Sequence, residues 1–414
     1  MSTDSATSIR AFLAASRQQQ TNFLAELVRV PSDNPPGDCA PHAARTAALL
    51  EALGLAVERH PVPAERVHAH GMVSVTDLVV RHRFGDGPVI ALNAHGDVVP
   101  PGEGWTQDPY GAAIVDGWMV GRGAAVSKCD FATYAWALLA LKSLTVTLAG
   151  TVELHLTYDE ESGGELGPAW LLSERITQPD FVISAGFSYA VVNAHNGCLH
   201  LEVEVRGRSA HAARPFTGVD ALAAATHILA ALYRWRDGLA ARVSAIPGIG
   251  AAQLTIGLIE GGINTNVVPD RVVFRLDRRM IPEENPAAVE AELRAVIAEA
   301  ARAVANTGLA VRRILLAEPL RPVAGSAVLT AALCRHASAV MGETIVPSGV
   351  PLYTDARHYA ARGIPTALYG AGPHTIEEAN AHRADERLPL SDLAKATEVV
   401  ALTLADLLGA TGRA

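Results

Sequence analysis

Hydrophobic residues follow two different periods along the first half of this 414-residue chain. Residues 6–30 and 43–54 carry apolar side chains at helical spacing, which predicts two helices on either side of the turn-forming segment Pro31–Gly37. Short continuous apolar runs follow, and each is typical of a strand that is covered on both faces. These runs are residues 89–94, 152–157 and 181–184, with helical patterns between them at residues 130–143 and 166–175. The alternation of strands and helices predicts an α/β unit.

The pattern changes at Leu199–Arg206, where strict alternation predicts a strand with one solvated face. The elements predicted after it are a helix at 218–235, strands at 253–260 and 271–278, a helix at 286–305 and a strand at 309–316. This β-α-β-β-α-β order resembles a small ferredoxin-like domain. A helix at 326–341 and the segment through Leu408 then return to the first pattern. The sequence therefore predicts a discontinuous larger domain, residues 1–197 and 315–414, interrupted by an inserted domain, residues 198–314.

The composition excludes several classes of protein. With 49% hydrophobic and 19% charged residues the chain can bury a large core, and a net charge of -9 argues against a nucleic-acid partner. The four cysteines are widely spaced and form no C-x-x-C pair, so we expect reduced thiols rather than disulfides. The N-terminal residues lack the basic and apolar regions of a signal peptide, and no apolar run is long enough to span a membrane. We therefore expect a cytoplasmic protein.

Residues suited to binding a metal follow the apolar strands. His95 and Asp97 come directly after one strand, and Glu160 and Glu161 come shortly after the next. In parallel sheets such ends form one surface. Together with His382, the pair His95 and Glu161 would supply two imidazoles and one carboxylate, a ligand set for catalytic zinc that also suits manganese.

Two neighbouring acids have the properties of supporting groups. Asp97, two positions after His95, can accept the ring N–H of that histidine and fix its tautomer. Glu160, next to the ligand Glu161, is the candidate general base. Taken alone, a His-Gly-Asp element at a strand end is more often a structural turn, and a pair of glutamates in a loop is usually a solvated face. Their order, and their position at the ends of apolar strands, favour a metal centre.

The chain resembles, over nearly its whole length, the aminoacylase, carboxypeptidase G and succinyl-diaminopimelate desuccinylase family of zinc-peptidase-like amidohydrolases. The matching motifs are His95–Asp97, Gly121–Ala124 with Lys128, Asp159–Glu161, Gly207–Pro215, Gly261–Asp270, Thr354–Arg357 and His382–Glu386. The resemblance implies a mixed-sheet α/β/α catalytic domain that binds metal, with a ferredoxin-like insertion that acts as lid and dimerisation domain. It also implies the general-base role for Glu160 and the orienting role for Asp97.

The chain departs from this family at two ligand positions. In the family, the position of His95 holds one metal, those of Glu161 and His382 hold another, and an aspartate bridges the two. Here Val126 matches the bridging aspartate, and a further acidic ligand falls at Ala185 or Gly186. Losing one ion together with two carboxylates leaves the net charge unchanged. We therefore expect one divalent ion per subunit, manganese or zinc, bound by His95, Glu161 and His382.

Two further acids could bear on the missing ligands. Asp130 lies four positions after Val126 and either replaces the lost ligand or stabilises the N-terminus of a helix. Asp355 is expected to lie elsewhere in the fold, with a structural role.

The resemblance also implies substrate contacts. His211 would reach the active site of a partner subunit and stabilise an oxyanion, which requires a homodimer or a higher homo-oligomer. Without the motif, a histidine at a strand-to-loop corner is the simpler interpretation. Asn266, Arg279 and Arg357 would contact the substrate, and Arg278 is a further candidate. For each arginine a salt bridge is an equal alternative to clamping a carboxylate.

The predicted function is hydrolysis of a carbon–nitrogen bond in a small molecule that bears a carboxylate, through a hydroxide on the metal, with Glu160 as general base. The activity would be that of an amidohydrolase, deacylase or peptidase, or that of a deaminase similar to 5-nitroanthranilate aminohydrolase. The loss of a second metal, which otherwise helps to polarise a carbonyl, keeps the deaminase open. The alternative is a non-catalytic descendant that acts as a binding module.

Overall fold

The computed structural model describes residues 3–409, which form two compact units. The first unit runs to Asn193, resumes over Pro322–Ser348 and continues from Thr354 onward, and the second comprises Ala194–Arg321 with Gly349–Tyr353. The second unit begins before residue 198 and ends after residue 314. The first boundary falls at a short link, because the strand Val191–His195 is followed after one residue by the strand Gly197–Arg206. The turn-forming pair Asn196–Gly197 lies at this junction.

The described residues contain both short and long helices, most of which lie between strands in the sequence. They are α1 Thr3–Val28, α2 Ala40–Ala52, α3 Ala64–Ala69, α4 Lys128–Lys142, α5 Pro168–Ser173, α6 Ala221–Asp237, α7 Pro286–Ala301, α8 Ser326–Met341, α9 Ala356–Ala360 and α10 Leu390–Gly409. Helix α4 is buried around almost its whole circumference, as expected of a helix that is apolar on all sides.

The strands form three sheets. They are β1 Val57–Pro61, β2 Thr76–Arg83, β3 Val89–His95, β4 Ala113–Val115, β5 Trp118–Val120, β6 Thr151–Thr157, β7 Phe181–Ser184, β8 Val191–His195, β9 Gly197–Arg206, β10 Gln253–Gly261, β11 Arg271–Met280, β12 Gly308–Ala317, β13 Pro347–Val350, β14 Thr366–Leu368 and β15 Arg387–Pro389. The strand orders are β1-β2-β6-β3-β7-β14-β8-β13, β10-β11-β9-β12 and β15-β5-β4.

The eight-stranded sheet is mixed, which confirms the predicted fold class. Strand β3 runs parallel to β6 and β7, and β14 runs parallel to β7, whereas β2 is antiparallel to both β1 and β6. The carboxyl ends of β3, β6 and β7 therefore meet at one edge of the sheet. This edge receives His95, the acids after β6 and the segment after β7.

Helices cover both faces of this sheet. On one face, buried residues of α1, α4, α8 and α10 pack with alternate residues of the strands, such as Ile90 and Leu92 of β3. On the other face, Ala91 and Val182 pack with Leu172 of α5 and Tyr359 of α9. Because successive strand residues point to opposite faces, β3 and β7 are buried on both sides, and this rigid centre carries the site.

The second unit is an antiparallel four-stranded sheet with α6 and α7 on one face. Side chains at alternate positions of β9, from Leu199 to Val205, form an apolar core with these helices. Capping agrees with the helix starts: Asp220 accepts a hydrogen bond from the Ala223 N–H (3.0 Å), and Asn285 accepts one from the Ala288 N–H (3.1 Å). The opposite sheet face carries the polar side chains of β9 and β11.

The sequence missed several short or polar elements. These are α3, α9 and the strands β1, β2, β4, β5, β8, β13, β14 and β15. Each is short or lacks a clean period, and tertiary pairing rather than local pattern defines it. Among residues 3–409, no helix is both long and apolar enough to cross a membrane.

Candidate metal centre

The centre lies where β3 and β6 end. His95 is the last residue of β3, and its backbone N–H and C=O both contact the Ser127 hydroxyl at 3.1 Å. Glu160 and Glu161 form a single 3-10 turn just after β6. One ligand atom each of His95, Glu160 and Glu161 lies within 4.8 Å of the other two. The strand ends therefore bring an imidazole and two carboxylates to one point.

His382 joins this group from the C-terminal part of the chain. Its Nε2 atom lies 3.1 Å from Oε1 of Glu161, and its own side chain is 52% exposed whereas that of Glu161 is 9% exposed. The two loops that meet here are held by a buried ion pair, Arg122 with Glu386, at 2.6 Å. Arg122 also donates to the Arg383 carbonyl (3.2 Å), so the pair fixes the backbone next to His382.

The carboxylate of Asp97 contacts other residues of the centre and does not point to solvent. Its two carboxylate oxygens accept the backbone N–H groups of Glu160 (3.2 Å) and Glu161 (3.1 Å), and Oδ2 also accepts from Asn34 (3.0 Å). His95 Nδ1 lies 2.9 Å from the Asp97 backbone oxygen and 3.4 Å from its Oδ1. The ring N–H therefore points at Asp97, which leaves Nε2 for a ligand. The contact from Asn34, in the turn Pro31–Gly37, carries no signal in the sequence.

The charges at the centre favour a cation. Burial alone would lower the pKa of His95, but the carboxylates of Glu160, Asp97 and Glu161 outweigh it and hold that pKa well above its usual range. The hydrogen bond to Glu161 likewise raises the pKa of His382. Burial, with help from Glu161 and Asp97, raises the pKa of Glu160 to about 7. Such a set of acids around two imidazoles matches the donors that a divalent ion requires.

Asp355 lies beside the centre, so the expectation that it lies elsewhere in the fold is wrong. It is buried, and its Oδ2 atom is 3.4 Å from the Thr157 hydroxyl at the end of β6. Burial and then the negative charges of Glu160 and Asp159 raise its pKa well above the usual range. Asp355 thus belongs to the acidic surroundings of Glu160. The sequence did not predict this proximity, because Asp355 and Thr157 are far apart along the chain.

At the two positions where the family has acidic ligands, this chain has residues without a ligand atom in the side chain. Val126 packs against the main core, and its N–H donates to Glu386 (3.0 Å). The N–H of Gly186 donates to Asp130 (3.3 Å), and the second oxygen of Asp130 accepts from the Ala371 N–H (2.8 Å). Both oxygens of Asp130 are thus occupied by backbone amides. This geometry favours a structural role for Asp130 in the first turn of α4.

The predicted arginine contacts differ in their surroundings. Arg357 is buried and donates to the Gly163 carbonyl, so its guanidinium holds the loop after Glu161 rather than standing open to a substrate. Arg278 is buried on the helix-covered face of its sheet, where it pairs with Glu284. Arg279 points to the opposite face and pairs with Asp277 at 2.9 Å. Of the three, Arg279 has the surroundings that best suit a ligand contact.

His211 and Asn266 are exposed neighbours on the second unit. His211 forms an isolated bridge with Val267, and the Ala212 N–H donates to the Asn266 carbonyl at 2.9 Å. The two predicted contacts are therefore brought together on adjacent loops of one unit.

The α/β/α fold and the His–Glu–Glu–His centre define a metal-dependent hydrolase. Residues 91–406 match the family model described as Peptidase family M20/M25/M40, so the chain belongs to this family. It therefore acts as a hydrolase of carbon–nitrogen bonds, and the binding-module alternative is not retained.

Relatives and solved structures agree with this assignment. A succinyl-diaminopimelate desuccinylase of Methylobacterium is 30% identical, over 89% of this chain and 90% of the relative. The aminopeptidase PepT of Bacillus cereus has a TM-score of 0.73 and 24% identity, over 94% of this chain and 98% of that one. The YXEP protein of Bacillus subtilis, described as a dinuclear metal binding peptidase, has a TM-score of 0.70 and 18% identity, over 96% and 99%. These likenesses establish the fold.

Proposed function

We propose that this protein hydrolyses the amide bond of an N-acyl amino acid or a dipeptide-like molecule, using one divalent ion held by His95, Glu161 and His382. The observation that carries the proposal is the convergence of these side chains with Glu160 at the ends of two parallel strands. The desuccinylase name of the relatives makes N-succinyl amino acids the first substrates to test. When bound, the ion supplies a Lewis acid that acidifies water and polarises the amide carbonyl.

Glu160 is the proposed proton carrier. It lies beside His95, with Oε2 of the carboxylate 4.0 Å from Nε2 of the ring. Its pKa is raised to about 7, mainly by burial, which matches a group that must gain and lose a proton near neutral pH. Glu160 would accept a proton from the attacking water and return it to the departing amine, which needs it because an amide nitrogen leaves as a neutral amine.

Asp97 and the Arg122–Glu386 pair are positioning residues in this proposal. Asp97 fixes both the ring of His95 and the backbone of the glutamate turn. The buried ion pair fixes the loop that carries His382. Catalysis depends on such fixed geometry, because proton transfer needs donor and acceptor within hydrogen-bond reach.

A single ion is the proposed metal content. Val126 and Ala185 offer no ligand atoms in their side chains, and Gly186 has no side chain. Asp130, the nearest carboxylate in sequence, already accepts two backbone N–H groups. A second ion would therefore lack the negative charge that balances it.

Contacts to the rest of the substrate are proposed for the second unit. Arg279, held by Asp277 and stacked over the Tyr353 ring, is the candidate for a substrate carboxylate, and Asn266 for a further polar contact. His211 would stabilise the developing oxyanion in the active site of a partner subunit. This arrangement implies a homodimer.

The test is a release assay on metal-depleted protein that is reloaded with manganese or zinc. N-succinyl and N-acetyl amino acids, dipeptides and a nitro-substituted aminobenzoate are offered, and free amino acid and ammonia are measured. We expect amino-acid release from an N-acyl substrate that disappears with chelator and in Glu160→Gln but persists in Glu174→Gln, an exposed matched control. Release of ammonia from the aromatic amine alone would replace the amide proposal with a deaminase. Metal-loaded protein that turns over none of them would contradict the proposal.

A further inference from the structure

A second group of metal-ligating side chains lies on the polar sheet face of the second unit. Cys198 and His200 are alternate residues of β9, and Asp277 of β11 is directly opposite His200 in the antiparallel register. Cys198 Sγ lies 3.2 Å from His200 Nε2, and that nitrogen lies 3.0 Å from Oδ2 of Asp277. One ligand atom of each residue lies within 4.8 Å of the other two. We propose that Cys198, His200 and Asp277 bind a zinc ion, separate from the ion of the hydrolytic centre.

The donor spacing suits a tetrahedral ion. Zinc binds sulfur at about 2.3 Å and nitrogen or oxygen at about 2.0 Å, which places neighbouring donors roughly 3.5 Å apart. The Sγ–Nε2 and Nε2–Oδ2 separations of 3.2 and 3.0 Å need to open by only a few tenths of an ångström. A thiolate, an imidazole and a carboxylate are all ligands that zinc accepts.

The geometry argues against a cysteine nucleophile. In a nucleophile–histidine–acid triad, the nucleophile contacts one imidazole nitrogen and the acid contacts the other. Here both Cys198 and Asp277 contact the same atom, Nε2 of His200. This arrangement cannot transfer a proton from the cysteine through the ring to the acid. Three neighbouring donor atoms instead fit a cation that they bind together.

Charge and surroundings support the same interpretation. Arg279 offsets the charge of Asp277, so a thiolate at Cys198 would leave one net negative charge at the cluster, which attracts a divalent ion. Arg279 donates to both oxygens of Asp277, from Nε to Oδ1 at 2.9 Å and from Nη2 to Oδ2 at 3.1 Å, so the carboxylate is held in one orientation and the ion would share Oδ2 with this guanidinium. Cys198 is buried, but the side chains of His200 and Asp277 are 34% and 29% exposed. An ion can therefore enter from solvent, and a water can complete its coordination.

Cobalt tests this site without reference to activity. A thiolate bound to Co²⁺ gives an intense near-ultraviolet charge-transfer band, and the proposed ligands of the hydrolytic centre, His95, Glu161 and His382, contain no sulfur. Full-length protein, depleted of metal and kept reduced with a non-thiol reductant, is titrated with Co²⁺. We expect a band that saturates at one cobalt–thiolate per subunit and is displaced by Zn²⁺.

Variants identify the ligands. The band should vanish in Cys198→Ser and in His200→Ala, and it should persist in Cys334→Ser, the matched control at a partly exposed thiol. Bound zinc, measured by elemental analysis, should fall by one ion per subunit in the first two variants only. Circular dichroism verifies that each variant is folded. Absence of the band in the wild-type protein, or its survival in folded Cys198→Ser, would overturn the proposal.

Discussion

The Oε1 atom of Glu161 lies 3.1 Å from Nε2 of His382, although these residues come from opposite halves of the chain. The inserted unit, Ala194–Arg321, separates them in sequence. Between these two residues the chain leaves the larger unit, forms the inserted unit and returns. The proposed ligand set is thus a property of the whole first unit and of no local segment.

Replacing Glu160 by glutamine should lower kcat by roughly 10²–10⁴-fold, because it removes a general acid–base group while preserving size. The metal content should stay at the wild-type level, since Glu160 is not a proposed ligand. Steady-state kinetics and elemental analysis of the same preparation measure both quantities. A fully active Glu160→Gln protein would remove Glu160 from the mechanism.

Replacing Val126 by aspartate should increase the metal bound per subunit above the single ion expected in the wild type. The new carboxylate would lie next to Ser127, whose hydroxyl contacts the backbone of His95, and would supply negative charge for a second cation. Val126→Asn is the matched control, because it has a similar shape without the charge. Elemental analysis at saturating manganese measures the ratio. If the wild type already holds two ions, the single-ion proposal is wrong.

The pH dependence of kcat/KM should show an acidic limb. Burial raises the pKa of Glu160 from 4.5 to about 7, and only the deprotonated carboxylate can accept a proton. Activity should therefore rise with pH toward neutrality. A bound cation stabilises the carboxylate, which places the midpoint of the limb at or below pH about 7.

Metal occupancy must be followed across the same pH range, because protonation of the histidines would also release the ion. The comparison is made at saturating metal with occupancy constant. A kcat/KM value that decreases steadily as the pH rises from about 5 to 8 would be incompatible with Glu160 as the base.

Mixing two inactive variants tests whether His211 acts across subunits. His211→Ala and Glu160→Gln should each be inactive alone. If His211 serves the partner's site, a statistical mixture of the two should regain about a quarter of wild-type activity, because half of the dimers carry one intact site of two.

The mixture needs subunit exchange, which a tagged pair of wild-type chains demonstrates in parallel. Activity that stays at the level of the separate variants despite exchange would show that His211 does not act in trans. A monomer in solution would exclude the dimer itself.

The sequence predicted which residues lie together where each residue follows a strand with apolar side chains. His95, Glu160 and Glu161 could be placed because β3 is a largely hydrophobic run, β6 has an apolar residue at every second position, and the carboxyl ends of parallel strands meet at one edge of a sheet. The fold class and the hydrolase class were also predicted and are confirmed. These features depend on local pattern and motif order, which a single sequence contains.

Contacts made across long separations were not predictable. Asp355 lies against Thr157, and Asn34 against Asp97, only because the tertiary fold brings their segments together. The Cys198–His200–Asp277 cluster is an intermediate case. Strand alternation places the first two on one face, but Asp277 joins them only through the register of β9 with β11. Sequence alone does not fix that register.

The order of the proposed ligands along the chain has a consequence during protein synthesis. His95 and Glu161 leave the ribosome long before His382, and α10, which packs with α1 and α4 in the main core, follows later still. A growing chain therefore exposes an incomplete ligand set throughout most of its translation. The enzyme would gain its hydrolase activity only when its last segment has folded onto the rest.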